Sequence, residues 1–126
     1  MGLYDGVLIK DNHIAAAGSI TAAVDMQRQS LPHTLKIEIE TKNMSEVKEA
    51  LKCGADIIML DNMVTEEMKK AVSFVAGRAL IEASGNVSLQ NVAEIAATGV
   101  DLISVGELTH SVHAADISLK INKEVT

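Results

Sequence analysis

Gly54-Ala-Asp-Ile-Ile-Met-Leu-Asp61 returns later in the chain as Gly99-Val-Asp-Leu-Ile-Ser-Val-Gly106. The two copies share an order of parts. A glycine able to stop a helix comes first, an aspartate follows, and a short apolar run ends in a polar or glycine residue. Apolar runs of this length suit strands of a parallel sheet that is covered on both faces. Repetition of such a unit is what a β/α barrel requires.

The alternation extends in both directions. Val7–Lys10, Leu35–Glu40, Asp56–Leu60, Ala79–Ala83 and Val100–Val105 read as strands. Helices are expected over Ser19–Arg28, over Glu46–Cys53 behind a Ser45 cap, from a Thr65 cap through Ala76, and from a Ser88 cap through Ala97. Ile117–Ile121 is a last apolar segment whose type the pattern leaves open. Short connections between alternating elements predict an α/β fold with parallel strands. The chain holds about five to six βα units, whereas a closed eight-unit barrel takes about 250 residues. An open α/β sheet and part of a TIM-like barrel both fit that count. No linker or low-complexity stretch interrupts the chain, so 1–126 reads as a single domain.

Composition narrows the classes. Of the 126 residues, 48% are hydrophobic and 22% charged, the balance of a globular domain rather than a disordered one. A net charge of −6 argues against broad binding to nucleic acid or anionic membrane, though backbone amides can still hold a phosphate. The aromatics are Tyr4 and Phe74, so the core must come from aliphatic residues and methionine. Cys53 is the one cysteine, which rules out an intrachain disulfide and suits a reducing cytoplasm. The start of the chain lacks the pattern of a signal peptide, and no apolar run nears the length of a membrane span.

In parallel β/α folds, functional groups gather at the C-terminal ends of the strands. Those ends carry Lys10-Asp-Asn-His13, Glu40, Asp61-Asn62, Ser84-Gly-Asn86 and Gly106-Glu107. In Leu35–Glu40, Lys36, Glu38 and Glu40 share one face. Lys36 can pair with Glu38, leaving Glu40 at the mouth. Asp61 is either a cap for the next segment or half of a carboxylate pair with Glu40, suited to ribose hydroxyls, Mg²⁺ or a cationic sugar transition state. Ser84, Gly85 and Asn86 precede a helix N-terminus and Gly106 ends the next strand, the arrangement of a recurrent barrel phosphate site. Lys10 either snorkels to solvent or clamps an anion. His110-x-x-His113 has metal-ligand spacing without a third ligand, His33 beside Pro32 reads as a loop residue, and Cys53 as packing.

These strand ends resemble one family. Gly2-Leu-Tyr-Asp5, Leu8-Ile-Lys-Asp-Asn-His13, Lys36-Ile-Glu-Ile-Glu40, Ile58-Met-Leu-Asp-Asn62, Glu82-Ala-Ser-Gly-Asn86, Thr98-Gly-Val-Asp101 through Ser104-Val-Gly106, Leu108-Thr-His-Ser111 and Asp116-Ile-Ser-Leu119 follow the order and spacing of the quinolinate phosphoribosyltransferases. The resemblance covers almost the whole chain. It implies a C-terminal portion of that enzyme's barrel, without its N-terminal sandwich domain. It also implies an enzyme that makes nicotinate mononucleotide, CO₂ and pyrophosphate from quinolinate and phosphoribosyl pyrophosphate with Mg²⁺, for de novo NAD synthesis.

By matching position, the resemblance assigns Lys10 to a quinolinate carboxylate or nearby phosphates. Glu40 and Asp61 would hold ribose and stabilise charge at its anomeric carbon. Ser84, Gly85 and Asn86, with Val105, Gly106 and Glu107, would cradle the 5′-phosphate. No residue is expected to ligate metal directly, and a cytoplasmic homo-oligomer is expected. The family's His-Arg pair and further arginines would lie before Met1, and Arg28 and Arg78 do not match them. Lys10 is therefore the one cation expected at the mouth, and the chain alone is expected to turn over little or not at all. A non-catalytic sugar-phosphate-binding fragment, and a paralogue acting on another base or in molybdenum transport, are the alternative readings.

Overall fold

The computed structural model of the chain describes residues 5–112 and 114–120. Five parallel strands form one sheet in the order β1-β2-β3-β4-β5: Gly6–Ile9, Lys36–Thr41, Ile57–Asp61, Leu80–Ser84 and Leu102–Ile103. Between them run α1 (Asp11–Ala17), α2 (Ile20–Ser30), α3 (Met44–Lys52), α4 (Thr65–Val75) and α5 (Val92–Ala96), with α6 (Glu107–His110) after β5. Each strand lies beside its predecessor, and parallel crossovers are right-handed, so every connecting helix returns over the same face of the sheet. This is barrel connectivity carried through five units.

The two faces differ accordingly. Ile9, Ile39, Ile58 and Ile81 sit in one lateral row, and Thr41, Leu60 and Ala83 in the next; all are buried. Against them pack Val24, Val47, Ala50, Met68, Ala71 and Val75 from the helices. Each of these isoleucines loses nearly all its water-accessible surface, and truncating one to alanine costs about 2–5 kcal/mol. The opposite face carries Leu8, Glu38, Glu40, Ile57 and Met59, all half-buried, and among the described residues no helix lies across it.

The repeated Gly-x-Asp has a shared mechanical role. Gly54 and Gly99 adopt φ of +74° and +89°, turning the chain out of the preceding helix. Asp56 Oδ2 then accepts from the Ile37 amide at 2.9 Å, and Asp101 Oδ2 from the Ile81 amide at 2.8 Å. The backbone amides of the same aspartates donate back to Ile37 and Ile81 carbonyls, both at 2.9 Å. Each aspartate thus locks the incoming strand onto its neighbour.

Several local expectations are corrected. The residues after Lys10 form α1, which the sequence pattern missed because Asp11-Asn-His13 reads as a turn; Lys10 occupies its N-cap, and its amide donates to His13 Nδ1 at 3.0 Å. Asn43, not Ser45, caps α3, its Oδ1 accepting from the Ser45 and Glu46 amides. Thr65 is the first residue of α4 rather than its cap, and its hydroxyl reaches Glu94 at 2.8 Å. The helix expected behind Ser88 begins only at Val92, because Asn91 Oδ1 takes the Ser88 amide at 2.9 Å and holds residues 88–91 in a turn. Strand β5 is shorter than the Val100–Val105 pattern suggested. Ile117 and Leu119 are exposed and outside any regular element; Ile121 lies outside the described residues. Among the described residues no helix is long and apolar enough to cross a membrane.

Lys36 does not pair with Glu38. The Glu38 carboxyl instead meets Glu82 of β4 on the bare face, with Ser104 donating to Glu82. Burial, then the charge and hydrogen bond of Glu82, push Glu38 from 4.5 up to about 7. Its buried Oε1 has no donor of its own among the described residues, so the contact is complete only while a proton is shared. Because the folded value lies above the unfolded one, stability is fully present near pH 4 and falls as pH rises through about 7. Thermal melts at pH 5 and pH 8 should show the chain less stable at pH 8, and Glu38→Gln should remove about 1–2 kcal/mol of that difference, a figure discounted for solvent reaching the pair.

Candidate active site

The locked register brings the C-terminal strand ends into one line. Glu40 is in register with Met59, so Asp61, two residues on, projects from the same bare face. Ser84 lies directly opposite Asp61. Lys10 follows β1 on one side, and Val105 and Gly106 follow β5 on the other.

At the β4–β5 end the backbone is turned by residues in the left-handed region. Gly85 has φ +85°, and Asn62 and Asn86 have φ +54° and +52°. Asparagine tolerates that conformation better than most side chains. Asn62 uses both ends of its amide: its Nδ2 donates to Asp61 Oδ1 at 2.9 Å, and its Oδ1 accepts from Asn86 Nδ2 at 2.7 Å. Asn91 Nδ2 in turn donates to the Asn86 carbonyl at 2.8 Å. A continuous hydrogen-bonded chain therefore ties the Asp61 carboxylate to the glycine loop. A methyl group on Gly85 would run into the Asn62 side chain, so position 85 must stay bare.

This loop walls a cavity of about 410 Å³ shared by Ser84, Gly85, Asn86, Gly106 and Glu107, with His110 and Ser111 opposite. Val105 is placed differently: it lines a neighbouring apolar cavity of about 440 Å³ with Leu89, Val92 and Leu108. The amides of Gly85, Asn86 and Val87 donate to no carbonyl or side chain among the described residues, which leaves them available to an anion. The expected helix N-terminus does not serve this role, since α5 starts six positions after Asn86.

His110 was missed as a cavity residue because its spacing to His113 drew attention to metal ligation. The better signal was its distance from Gly106: four residues, one helical turn, which returns its ring over the glycine. A Cβ on Gly106 would stand 3.3 Å from His110 Nε2. His110 Nδ1 lies 2.7 Å from Ser111 Oγ. His113 lies outside the described residues.

The β1–β3 end is charged. Lys10, Asp11, Glu40, Lys42 and Asp61 interact electrostatically there. Partial burial, then the negative charges of Asp61 and Asp11, raise Glu40 above the usual carboxylate range, while Lys10 and Lys42 oppose that shift. Lys42 Nζ is 2.7 Å from Asp11 Oδ2. That bond holds the Lys42 ammonium above its usual value and the Asp11 carboxyl below its own. Lys10 is thus not alone at the mouth. The sequence did contain the signal, since Lys42 continues the alternate positions Lys36, Glu38, Glu40 beyond the strand. Among the described residues no group of three or more His, Cys, Asp or Glu could hold a metal ion.

Comparison with known proteins gives a consistent result. Residues 1–120 match the family described as quinolinate phosphoribosyl transferase, C-terminal domain. A probable nicotinate-nucleotide pyrophosphorylase [carboxylating] of Synechocystis is 55% identical over 107 residues, covering 82% of this chain and 36% of the relative. The corresponding Bacillus subtilis protein is 42% identical over 120 residues, covering 95% and 42%. The crystal structure of nicotinate-nucleotide pyrophosphorylase from Ehrlichia chaffeensis superposes with a TM-score of 0.82 at 52% identity, over 87% of this chain and 40% of that one. A thiamine phosphate pyrophosphorylase from Pyrococcus furiosus, at 23% identity and a TM-score of 0.61, shares the fold alone. The chain spans about two fifths of the length of the curated relatives it matches.

The bare space at position 85 gives a direct test of the cavity. Gly85→Ala should displace Asn62, break its bonds to Asp61 and Asn86, and weaken binding of inorganic phosphate or ribose 5-phosphate by about tenfold or more. Titration calorimetry measures this; unchanged affinity would separate the loop from the anion site.

Proposed function

Because the chain belongs to the quinolinate phosphoribosyltransferase family, as its C-terminal domain, we propose that it carries the phosphoribosyl half of a site that transfers a phosphoribosyl group to quinolinate. The products would be nicotinate mononucleotide, CO₂ and pyrophosphate. The observation that supports this most is the hydrogen-bonded chain from Asp61 through Asn62 to Asn86, which couples a carboxylate to an amide-rich anion cavity. A sugar phosphate has the same two needs at the same two ends.

In this reading the 5′-phosphate rests against the Gly85–Val87 amides, with Ser84, Gly106 and His110 around it. Ribose then lies over Asp61 and Glu40. As the bond from the anomeric carbon to diphosphate loosens, positive charge builds on the sugar ring, and two carboxylates held on one face stabilise it. They act only when ionised, and Glu40 is the harder of the two to keep so, because its burial and the neighbouring Asp61 and Asp11 favour its neutral form. Lys10 meets a carboxylate of the acceptor or a phosphate oxygen.

Mg²⁺ prefers one or two carboxylates together with substrate phosphates and water over an all-protein cage. Glu40 and Asp61 suit that role, and when bound with diphosphate the ion would offset its charge as it leaves. Cytoplasmic residence is our reading from Cys53 and the absence of a disulfide, although tobacco and Arabidopsis relatives are named as mitochondrial and chloroplastic.

A second reading, a sugar-phosphate-binding domain that does not turn over alone, draws support from the charge balance at the mouth. Lys10 and Lys42 face Asp11, Glu40 and Asp61, too few cations to grip a dicarboxylate and diphosphate together. The 126-residue chain should release heat on titration with phosphoribosyl pyrophosphate and Mg²⁺ while showing little or no turnover with quinolinate. Asp61→Asn should weaken that binding by about tenfold. No heat at millimolar ligand would leave a structural remnant, and robust turnover would show that Lys10 and Lys42 suffice. Among the described residues β1 has no strand on its outer side, and this edge with the half-buried apolar groups of the bare face also leads us to expect a homo-oligomer, which light scattering at high dilution checks.

A further inference from the structure

The candidate site is laid out as a line of charge across the strand ends. At β4 and β5 lies the cavity of amides and glycines, with Glu107 and His110 on its wall. At β3 and β2 stand Asp61 and Glu40, and at β2 and β1 stand Lys42 and Lys10 with Asp11 between them. Neighbouring strands lie about 4.8 Å apart, so cavity and cations are separated by about 10–15 Å. A phosphoribosyl donor has the same layout: a phosphate at one end, a ribose in the middle and a diphosphate at the other.

We propose that Lys42 is a substrate-binding cation for the diphosphate end of the donor, released from Asp11 when the diphosphate arrives. The inference rests on the phosphoribosyl-transfer reading above and deepens it. Three features carry it. Lys42 stands one residue past the end of β2, two positions after Glu40, and lines a cavity at that strand end with Glu40 and Asp11. Its ammonium lies within electrostatic reach of both Glu40 and Asp61 as well as of Asp11. The Lys42–Asp11 pair is half-exposed on both sides, at 48% and 51%, so water and ions reach it and the partner can be exchanged at little cost. Asp11, at the first position of α1, keeps the cation beside the mouth while the site is empty.

A purely structural pair would respond alike to loss of either member. A binding cation with a competing carboxylate would not, and this asymmetry is the test. In calorimetric titrations of the whole chain with inorganic pyrophosphate, Lys42→Met should weaken binding by about three- to tenfold. Asp11→Asn should strengthen it by about twofold, because Lys42 no longer has to leave a carboxylate. Ribose 5-phosphate, seated in the glycine cavity, should bind both variants as it binds the parent chain. Thermal melts should confirm that both remain folded.

The proposal is overturned if both substitutions move pyrophosphate affinity in one direction, if neither moves it, or if pyrophosphate does not bind while ribose 5-phosphate does. It is also overturned if Lys42→Met weakens quinolinate and spares pyrophosphate, which would place the acceptor at this end. Failure of the parent chain to bind ribose 5-phosphate would remove the phosphoribosyl reading itself, and this inference with it.

Discussion

Everything in the site depends on strand register, and register here depends on two aspartates. A parallel sheet slipped by one residue exchanges its faces. Glu38, Glu40, Asp61 and Glu82 would then point into the helix layer, and Ile39, Ile58 and Ile81 onto the bare face. Asp56 and Asp101 resist that slip with paired bonds to Ile37 and Ile81 at the entry of the strands. Their carboxylates stand at the opposite ends of the strands from the site. They position it by fixing where each strand starts, and hence which residue stands at its end.

The two ends of the candidate site are built on different physics. The cavity at β4 and β5 offers backbone amides and small residues, fixed by left-handed turns and by side-chain amides bonded to one another. Its amides and small residues carry no full charge of their own. The β1–β3 end works with full charges of both signs at close quarters. It is tunable and sensitive to salt, and each group there alters the ionisation of its neighbours. In the proposed transfer a diphosphate leaving group and a ribose cation would form together, and a region holding both signs would suit both.

Most of the architecture was legible because buried parallel strands leave a plain trace. Ile57-Ile-Met-Leu60 is a continuous apolar run, Ala79–Ala83 is apolar apart from Glu82, and the Gly-x-Asp echo marks the entry of a strand twice. That the carboxylates, Lys10 and the glycine loops gather at one end of the sheet was legible because each follows directly on an apolar strand. What escaped was set by tertiary partners. Ser45, Thr65 and Ser88 all resemble caps, but Asn43, Glu94 and Asn91 took the relevant bonds first. Helix α1 was hidden because Lys10, rather than a Ser, Thr, Asp or Asn, stands at its N-cap, and His13, rather than a Glu or Gln, accepts the Lys10 amide. The Glu38–Glu82 contact joins β2 to β4 across β3, a relation that sequence spacing does not encode.

The sheet order, in which every strand sits beside its predecessor, bears on how the chain is made. Each new strand finds its partner one helix back, so no early segment waits for a late one before it can pair. Every strand pairing closes a loop of one βα unit rather than of the whole chain, which keeps the closure entropy modest for a parallel sheet. A chain of this kind can build its sheet from one edge to the other as it emerges from the ribosome, each βα unit docking on the last. The glycine cavity, built from β4, β5 and α6, is then the last part to form, and the charged mouth has already taken shape when it does.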